Sequence, residues 1–470
     1  MYAPATTEKK YLKWYQKLAY GSGDLASNCS YGLVSSFVLL YLTGTLGLDS
    51  AIIGSLMLAS KVLDGISDVI FGTLIDRTHS KLGKARPWML FGQVGVSLCL
   101  FLLFAIPAGS TTMQYIYFFI VYTALNAVFY TANGIAYSSL VALITKNNNE
   151  RVQLGSFRFM FAVITNIFMG FAVTGMVEKF GSGAAGWRTT ALIFAIVGLV
   201  VNTISCLAVK ELPEEELSGN TSEAAEEGKA VAKEKKHGFA ETAKILVHNK
   251  YYLMILAIYI VYYIMSNLTT GAGVFCATYY WGDGSLLGQF SMMKMFPVII
   301  ALAIAPVLIK KTGSMQKVNF WGYAISSVLG IPMIYFAMQK NLSMFLLFMF
   351  IKGIFAGTLS GSLNALIAEA SGYTTRTTGV HMDGMMYSCS SLGVKVGGGI
   401  GTAAVGWLLK LGGFVGTATV QSESAIRMIF NLYITFPFVI GIIITVLLAF
   451  LDVEKANKKW DAEHQKEAQA

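Results

Sequence analysis

Two aspartates lie four residues apart in a stretch that is otherwise mostly apolar. Asp64 and Asp68 belong to KVLDGISDVIFG, residues 61–72. Positions i and i+4 share one face of a helix, so two unpaired carboxylates there repel each other. A cation, a proton or a basic side chain must offset this repulsion. Lys61 is close in sequence and Lys395 is a partner from the second half of the chain, so plain salt bridges between helices are the structural alternative.

Oxygen ligands of this kind favour a hard monovalent cation. Ser67 stands beside the pair, and Thr131 supplies a second hydroxyl from a later segment. Carboxylate and hydroxyl oxygens suit Na⁺ better than a soft metal, and a coupled carboxylate pair can also share one proton. The residues therefore predict a monovalent-cation site at Asp64 and Asp68, with Ser67 and Thr131 beside it. The choice among Na⁺, Li⁺ and H⁺ stays open.

The composition places these acids in a membrane. Of the 470 residues, 55% are hydrophobic and only 13% are charged, against about 25% charged in a soluble protein. A carboxylate at mid-bilayer depth costs at least about 2.5–3.5 kcal/mol. A spanning helix needs about 20 residues, and the sequence predicts an all-α integral membrane protein with twelve such helices. They cover 25–46, 51–75, 88–107, 113–144, 157–178, 188–209, 250–280, 286–309, 318–338, 342–370, 384–410 and 427–451.

The distribution of basic residues predicts the orientation. With both termini cytoplasmic, the inner segments hold about 25 of the 35 basic residues and the outer loops hold about 5, as the positive-inside rule requires. The net charge of +9 then reflects topology and contact with the lipid bilayer, and nucleic acid is not a predicted partner. No secretory signal is indicated at the start, so the first span is expected to stay as an anchor in the plasma membrane.

A hydrophilic stretch separates six predicted spans from six more. The sequence predicts an N-terminal bundle at 1–209, a cytoplasmic linker at 210–249, a C-terminal bundle at 250–452 and a cytoplasmic tail at 453–470. The segments GTLIDRTHSKLGKARPWML and APVLIKKTGSMQKVNFWGY follow spans 2 and 8 and resemble each other weakly. Parallel repeated halves are a common plan among transporters.

The cytoplasmic loop after span 2 resembles the signature loop of the major facilitator superfamily, in the pattern G-x3-DR-x5-GK-x-R of residues 72–86. Five segments together make the chain similar to the glycoside–pentoside–hexuronide:cation symporter family, whose best-known members are the melibiose carriers. They are KLAYGSGDLASN (17–28), DGISD (64–68), DRTHSKLGKARPW (76–88), NERVQLGSFRF (149–159) and YSCSSLGVKVGGG (387–399). The resemblance implies two six-helix bundles around a central cavity and cation-coupled uptake of a glycoside, an oligosaccharide or a hexuronide.

The resemblance also implies positions for the two ligands. Asp64, Asp68 and Thr131 match the family's cation positions, although Ser67 replaces an asparagine of the melibiose carriers. Where those carriers place acids against the sugar, this chain has Asn28 and either Asn133 or Gly134. Asparagine can still bond sugar hydroxyls, and helix–helix bonding is its alternative role. The remaining predicted substrate residues are Asp24, Tyr31, Tyr137, Arg158 and Lys395; plain packing is the alternative for the tyrosines, and snorkelling or gating for Arg158.

A gate is predicted on the cytoplasmic side. Arg77, Lys84 and Arg86 are expected to pair with acids such as Asp76 when that side is shut. In the second half, Arg376 is expected to pair with Glu369 or Asp383.

Other classes of protein lack their signatures. Nucleophile-elbow, zinc-protease, P-loop and dinucleotide motifs are missing from any convincing context, so no enzyme is predicted. GVKVGGGIG, residues 393–401, reads as close helix packing, and the five cysteines show neither metal nor disulfide spacing. The prediction is a monomeric secondary transporter without a cofactor other than Na⁺, H⁺ or Li⁺ as coupling ion. A Na⁺-coupled lysolipid transporter and a non-transporting membrane sensor are the alternatives.

Overall fold

The structure is a computed structural model that describes residues 9–213, 245–379, 383–418 and 420–467. In these ranges the secondary structure is helical, without a strand. Eleven helical segments there are long and apolar enough to cross a membrane. The 27-residue helix Ser50–Asp76, which carries Lys61 and both predicted cation-binding aspartates, is a further segment of spanning length. This agrees with the predicted all-α fold and is consistent with twelve spans. Most of the predicted linker, residues 214–244, lies outside the described residues.

The chain divides into two compact units. The first comprises residues 1–48 and 59–236, and the second comprises 49–58 and 237–470. The helices of the first unit, with α3 shared between the two, are α1 Trp14–Gly21, α2 Gly23–Leu40, α3 Ser50–Asp76, α4 Arg86–Leu103, α5 Thr111–Thr123, α6 Thr131–Ile144, α7 Asn148–Lys179 and α8 Gly183–Leu207. A π-helical turn, Tyr41–Thr45, extends α2, and a π-helical segment, Ala124–Tyr130, joins α5 to α6 into one span.

The described residues of the second unit from 250 onwards form nine further helices. They are α9 Lys250–Phe275, α10 Leu286–Thr312, α11 Met315–Met338, α12 Leu342–Thr378, α13 Asp383–Leu392, α14 Gly398–Leu411, α15 Glu423–Phe430, α16 Phe436–Phe450 and α17 Val453–Glu467. Three π-helical turns, Cys276–Tyr280, Gly393–Gly397 and Asn431–Thr435, continue or join them. The residues from 453 onwards, predicted as a tail, therefore include a 15-residue helix.

Local sequence explains where several helices begin. Ser110 accepts a hydrogen bond from the Met113 amide, Asn147 from the Glu150 amide, and Asn249 from the Tyr251 and Tyr252 amides. A side-chain oxygen at this position satisfies an amide that has no partner within the helix. Short polar residues between apolar runs therefore set these helix starts.

Glutamates cap one helix of each unit from a distance. The Glu211 carboxylate accepts from the amides of Lys84, Ala85 and Arg86, at 2.7, 2.9 and 3.0 Å, where α4 begins. Gly83 adopts φ +110°, and a Cβ there would collide with that carboxylate, so the loop requires glycine. The backbone conformation therefore explains why the second glycine of the 72–86 motif, Gly83, is a glycine.

The second unit repeats this arrangement where α11 begins. Glu454, which follows α16 as Glu211 follows α8, accepts from the Ser314 hydroxyl and from the amides of Met315 and Gln316, at 2.8 and 3.0 Å for the amides. A carboxylate at a helix N-terminus is favoured by the helix dipole. The shared capping supports the internal repeat proposed from the sequence.

Glycines allow helices of the second unit to approach closely. A Cβ built on Gly401 would lie 2.6 Å from the Ile264 carbonyl oxygen, and one on Gly397 would collide with the Ile260 carbonyl. Small residues at helix interfaces of membrane proteins serve this purpose. The interpretation of GVKVGGGIG as close helix packing is therefore confirmed.

Candidate cation and substrate site

The predicted cation-binding residues of α3 and α6 meet within the first unit. The Thr131 hydroxyl lies 2.6 Å from Asp64 Oδ1. Lys61 Nζ lies 3.6 Å from Asp64 Oδ2, as the i, i+3 spacing on α3 permits. The Asp64 carboxylate thus contacts one hydroxyl and one ammonium, and its side chain remains 14% exposed.

Both aspartates face a cavity of ≈ 530 Å³ within this unit. A void beside the acids is what ion binding requires, since a carboxylate pair sealed into fixed salt bridges would have no room for a ligand. The lining residues are Lys61, Asp64, Asp68, Asn126, Tyr130, Thr131, Gly134, Ile135, Ser138 and Ser139. Ser67 is not among them, and its hydroxyl donates to the Asp64 backbone carbonyl at 2.9 Å.

The Thr131 hydroxyl has two acceptors within reach. Besides Asp64, the Asn126 carbonyl oxygen lies 3.0 Å from Thr131 Oγ1. A hydroxyl has one proton to donate and lone pairs to offer. With its proton on the Asn126 carbonyl, Thr131 can present an oxygen to a cation held by Asp64. The Asn126 carbonyl also accepts from the Thr131 amide, in the i to i+5 bonding of a π-helical segment, which places it beside the Thr131 side chain.

A row of polar side chains runs along α2. Asp24, Asn28 and Tyr31 are spaced i, i+4 and i+7, so they share one face. Arg158 Nε of α7 donates to Asp24 Oδ2 at 2.7 Å, which neutralises that charge within the unit. Asn166 of α7 donates to Asn28 Oδ1 at 3.0 Å. These contacts tie α2 to α7.

An aromatic pair closes the row on the side of the cation cavity. The rings of Tyr31 and Tyr130 stack with centroids 5.7 Å apart. Lys61 Nζ lies 6.0 Å from the Tyr31 centroid, and Tyr130 lines the cavity that holds Asp64. The predicted sugar and cation residues of α2, α3 and α6 are therefore continuous through these side chains.

The structure does not bring two of the predicted substrate residues to this surface. Asn133 is 2% exposed and donates to the Met89 carbonyl at 2.7 Å, so its amide bonds α6 to α4. Gly134, the other alignment, lines the cavity instead. Tyr137 is also 2% exposed; its hydroxyl donates to the Tyr20 carbonyl at 2.7 Å. The Tyr137 ring supports the Arg158 guanidinium, which lies 4.2 Å from its centroid.

Lys395 belongs to the second unit. It lies within the π-helical turn Gly393–Gly397 that joins α13 to α14, and it is half-buried. The backbone at Lys395 is therefore π-helical, whereas the segments before and after it are α-helical.

The predicted gate residues of the first unit take different positions. Asp76 and Arg77 are exposed where α3 ends. Arg86 is 8% exposed and donates to the carbonyls of Cys206, at 3.2 Å, and Leu82, at 3.4 Å. Its guanidinium thus donates to carbonyls of the loop and of α8, where a carboxylate was expected. Lys84 contributes its backbone amide to Glu211.

Arg376 pairs with a different acid from those expected. Its guanidinium lies 3.1 Å from an Asp461 oxygen of α17 and donates to Asn457 at 3.2 Å. Asn457 in turn donates to Glu369 at 2.9 Å. The expected pairing with Glu369 is therefore indirect, because α17 inserts its amide between the two; the Asp383 side chain lies outside the described residues.

Sequence reasoning missed Asn126, Tyr130, Asn166 and Glu211. Asn166 carries a weak signal, since it is a lone amide in an apolar span eight residues after Arg158. Tyr130 stands beside Thr131 in the sequence but gave no signal of its own. Glu211 lies in a run of acids, and only the fold shows that this one caps α4.

Residues 19–455 match the family described as MFS/sugar transport protein. The chain belongs to this family. It is a multi-pass membrane transporter of the major facilitator superfamily, as the sequence predicted, and the family is not one of enzymes.

Relatives and a solved structure extend the match along the chain. An isoprimeverose transporter of Lactiplantibacillus pentosus is 26% identical over 466 residues, covering 98% of this chain and 93% of the relative. A putative glycoside/cation symporter, YagG of Escherichia coli (strain K12), is 24% identical over 444 residues, covering 94% of this chain and 92% of the relative. The crystal structure of a bacterial homologue of the human lysosomal transporter Spinster, inward-facing and unoccupied, has a TM-score of 0.69 at 12% identity, covering 95% and 98%. That likeness shows the fold alone.

Proposed function

We propose that this protein carries a glycoside into the cell together with a monovalent cation. The observation that supports this most directly is the cavity of ≈ 530 Å³ that Asp64, Asp68 and Thr131 line together, with the Thr131 hydroxyl 2.6 Å from Asp64 Oδ1. The relatives named as an isoprimeverose transporter and a glycoside/cation symporter support the same class of substrate and coupling. The protein works as a monomer in the plasma membrane with both termini in the cytoplasm.

The cation step begins at the carboxylates. A Na⁺ or H⁺ entering the cavity lowers the repulsion between Asp64 and Asp68 and competes with Lys61 for Asp64. Thr131 turns its proton to the Asn126 carbonyl and offers its oxygen to the ion. Hard oxygen donors of this kind favour Na⁺ or Li⁺, and a shared carboxylate pair accommodates H⁺.

The sugar step uses the polar row of α2. Asn28 Nδ2 donates to the Asp24 carbonyl, and Asn166 Nδ2 donates to Asn28 Oδ1 and the Ala162 carbonyl. Asn28 therefore keeps one amide hydrogen to donate to a sugar hydroxyl, and the Asn166 amide oxygen can accept from one. Tyr31 offers an aromatic face for the apolar side of a sugar ring, and its stacking on Tyr130 links that surface to the cation cavity. Because Arg158 already neutralises Asp24, the row carries no net charge. A neutral glycoside therefore suits it, and a hexuronide is not repelled.

Coupling follows from this shared geometry. Cation binding fixes the position of α3 against α6, which sets Tyr130 and, through it, Tyr31. If each ligand favours the same arrangement, each must raise the affinity of the other by the same factor. Transport then proceeds by alternating access, with the fully loaded and the empty site crossing the membrane.

The chemistry of the row also separates the alternatives. A lysolipid transporter would need an extended apolar surface for an acyl chain, whereas α2 presents a carboxylate, an amide and a phenol. A sensor that does not transport would not require a cation cavity beside the substrate residues. Sugar symport is therefore favoured over both.

The test uses reconstituted proteoliposomes. Asp68→Asn should abolish sugar accumulation driven by a Na⁺ or H⁺ gradient while leaving downhill sugar exchange, because the carboxylate lines the cation cavity. Glu178→Gln, which neutralises an exposed carboxylate near the end of α7, is the matched control. The symport assignment fails if Asp68→Asn still concentrates sugar against its gradient. A screen of galactosides, glucuronides, xylosides and lysolipids, with and without Na⁺, identifies the substrate.

A further inference from the structure

A second cavity lies inside the second unit. It has a volume of ≈ 190 Å³ and is lined mainly by side chains of α9, α10, α11, α12 and α16. Most of its wall is apolar or aromatic, with methionines such as Met265, Met293 and Met349 and the rings of Phe345 and Phe438. Two cationic side chains, Lys294 and Lys352, complete the lining. It shares no residue with the cavity that holds Asp64 and Asp68.

The two lysines are not matched by acids. Lys294 Nζ donates to the hydroxyls of Thr269, at 3.3 Å, and Thr270, at 3.2 Å. In the described part of the chain, Lys352 has neither a hydrogen bond nor an ion pair, and neither lysine pairs with a carboxylate. Ionisable residues within membrane spans are costly unless they are paired or functional.

α10 packs closely against α12 at the residues next to Lys294 and Lys352, so the two lysines lie at the same height along these helices. A Cβ on Gly353 would lie 2.8 Å from Pro297 Cβ and 3.6 Å from the Met293 carbonyl oxygen. Gly353 follows Lys352 directly, and Met293 precedes Lys294. Four residues along α12, a Cβ on Gly357 would lie 2.7 Å from Ala301 Cβ, so the close contact continues. The backbones that carry the two lysines are thus held close together beside the cavity.

We propose that this cavity binds a small organic carboxylate with a compact apolar body. Two half-buried ammonium groups in a mostly apolar wall create an electrostatic demand that an anion meets, since a charge in apolar surroundings is unfavourable unless it is paired. Ser326 and Ser360 also line the cavity and can donate hydrogen bonds to the carboxylate. A dry cavity of about 150 Å³ accommodates benzene, so ≈ 190 Å³ admits a ring of that size with its carboxylate. This site is separate from the proposed sugar and cation sites.

The experiment uses the full-length protein purified in detergent and benzoate as the probe. Binding is measured by calorimetry at constant Na⁺ and ionic strength, with benzamide as the neutral molecule of the same shape. The variants are Lys352→Met, Lys294→Met and Lys352→Arg. Lys310→Met is the matched control, because Lys310 is exposed at the end of the same helix as Lys294.

Saturable benzoate binding is expected, weakened about tenfold or more by either methionine substitution, as the loss of a charged hydrogen bond predicts. Lys352→Arg and Lys310→Met should bind benzoate within about twofold of the unsubstituted protein, and benzamide should bind at least about tenfold more weakly. The methionine variants should melt no lower than the unsubstituted protein, because each removes an unmatched charge.

The proposal is overturned if benzoate does not bind saturably, if benzamide binds equally well, or if the methionine variants keep full affinity. If a methionine variant does not fold, the comparison of benzoate with benzamide on the unsubstituted protein and on Lys352→Arg still decides. Sugar transport does not enter any of these measurements, so failure of the proposed symport leaves the result intact.

Discussion

Thr131 shows how a single hydroxyl can have two acceptors within reach. Its oxygen lies 2.6 Å from Asp64 Oδ1 and 3.0 Å from the Asn126 carbonyl oxygen. The sequence indicated a hydroxyl at this place, but only the structure reveals the second acceptor, which comes from the π-helical segment before it.

Replacing this hydroxyl should weaken cation binding. For Thr131→Val we expect the apparent Na⁺ or H⁺ affinity to fall about tenfold, since a hydrogen bond to a charged group is worth about 1.5–3 kcal/mol. The measurement is the cation concentration that half-activates sugar uptake in proteoliposomes. Thr123→Val is the control on the same span, because the Thr123 hydroxyl is buried without a partner among the described residues. Equal losses in the two variants would contradict a ligand role for Thr131.

Buried residues of α6 show that residue type alone does not identify a substrate ligand. Asn133 and Tyr137 have groups that suit sugar binding, yet both side chains donate hydrogen bonds to backbone carbonyls inside the first unit. Along α6, residues 131 and 134 reach the cavity whereas residue 133 points to α4. A rotation of 100° per residue decides between ligand and packing roles.

At the scale of elements, glycines determine how near two helices come. Gly401 of α14 faces the Ile264 carbonyl of α9, and a Cβ there would lie 2.6 Å from that oxygen. A backbone atom cannot move aside as a flexible side chain can, so the two helices must separate if a methyl group is added.

Gly401→Ala should therefore lower the melting temperature of the purified protein. Gly372→Ala on α12 is the control, because a Cβ at that position meets nothing within 4 Å. We expect the control to be neutral or stabilising, by up to about 1 kcal/mol from helix propensity. Thermal unfolding in detergent compares the two. A stable Gly401→Ala variant would contradict tight packing of α14 on α9.

The two capping glutamates are equivalent elements of the internal repeat. Glu211 and Glu454 occupy equivalent places after α8 and α16 and hold the starts of α4 and α11. The weak similarity of the loops after spans 2 and 8 gave no hint of these glutamates, because each lies in a different part of the sequence from the helix that it caps.

For the whole molecule, the orientation in the membrane is the property that charge predicts. Basic residues concentrate in the segments assigned to the inside. The five native cysteines are buried, so an introduced thiol can be labelled with little background.

Ser285→Cys and Ala462→Cys test this orientation directly. Both positions are exposed, and they are predicted to lie on opposite sides of the membrane. In intact cells an impermeant maleimide should label residue 285 and should label residue 462 only after permeabilisation. The unsubstituted protein measures background labelling. Labelling of residue 462 in intact cells would place the C-terminus outside and reverse the topology.

The sequence by itself determined the membrane class, the approximate spans, the family and the acidic pair at 64 and 68. Each of these depends on composition, on periodicity or on residues adjacent in the chain, and such properties do not need a fold to be read. Only the tertiary structure decided which polar side chains share a cavity: it joined Thr131 to Asp64, turned Asn133 inward, paired Arg376 with Asp461 and placed Lys294 and Lys352 in the lining of one cavity. The physical reason is that these contacts join residues far apart in sequence, and their existence depends on helix rotation and crossing, which packing sets.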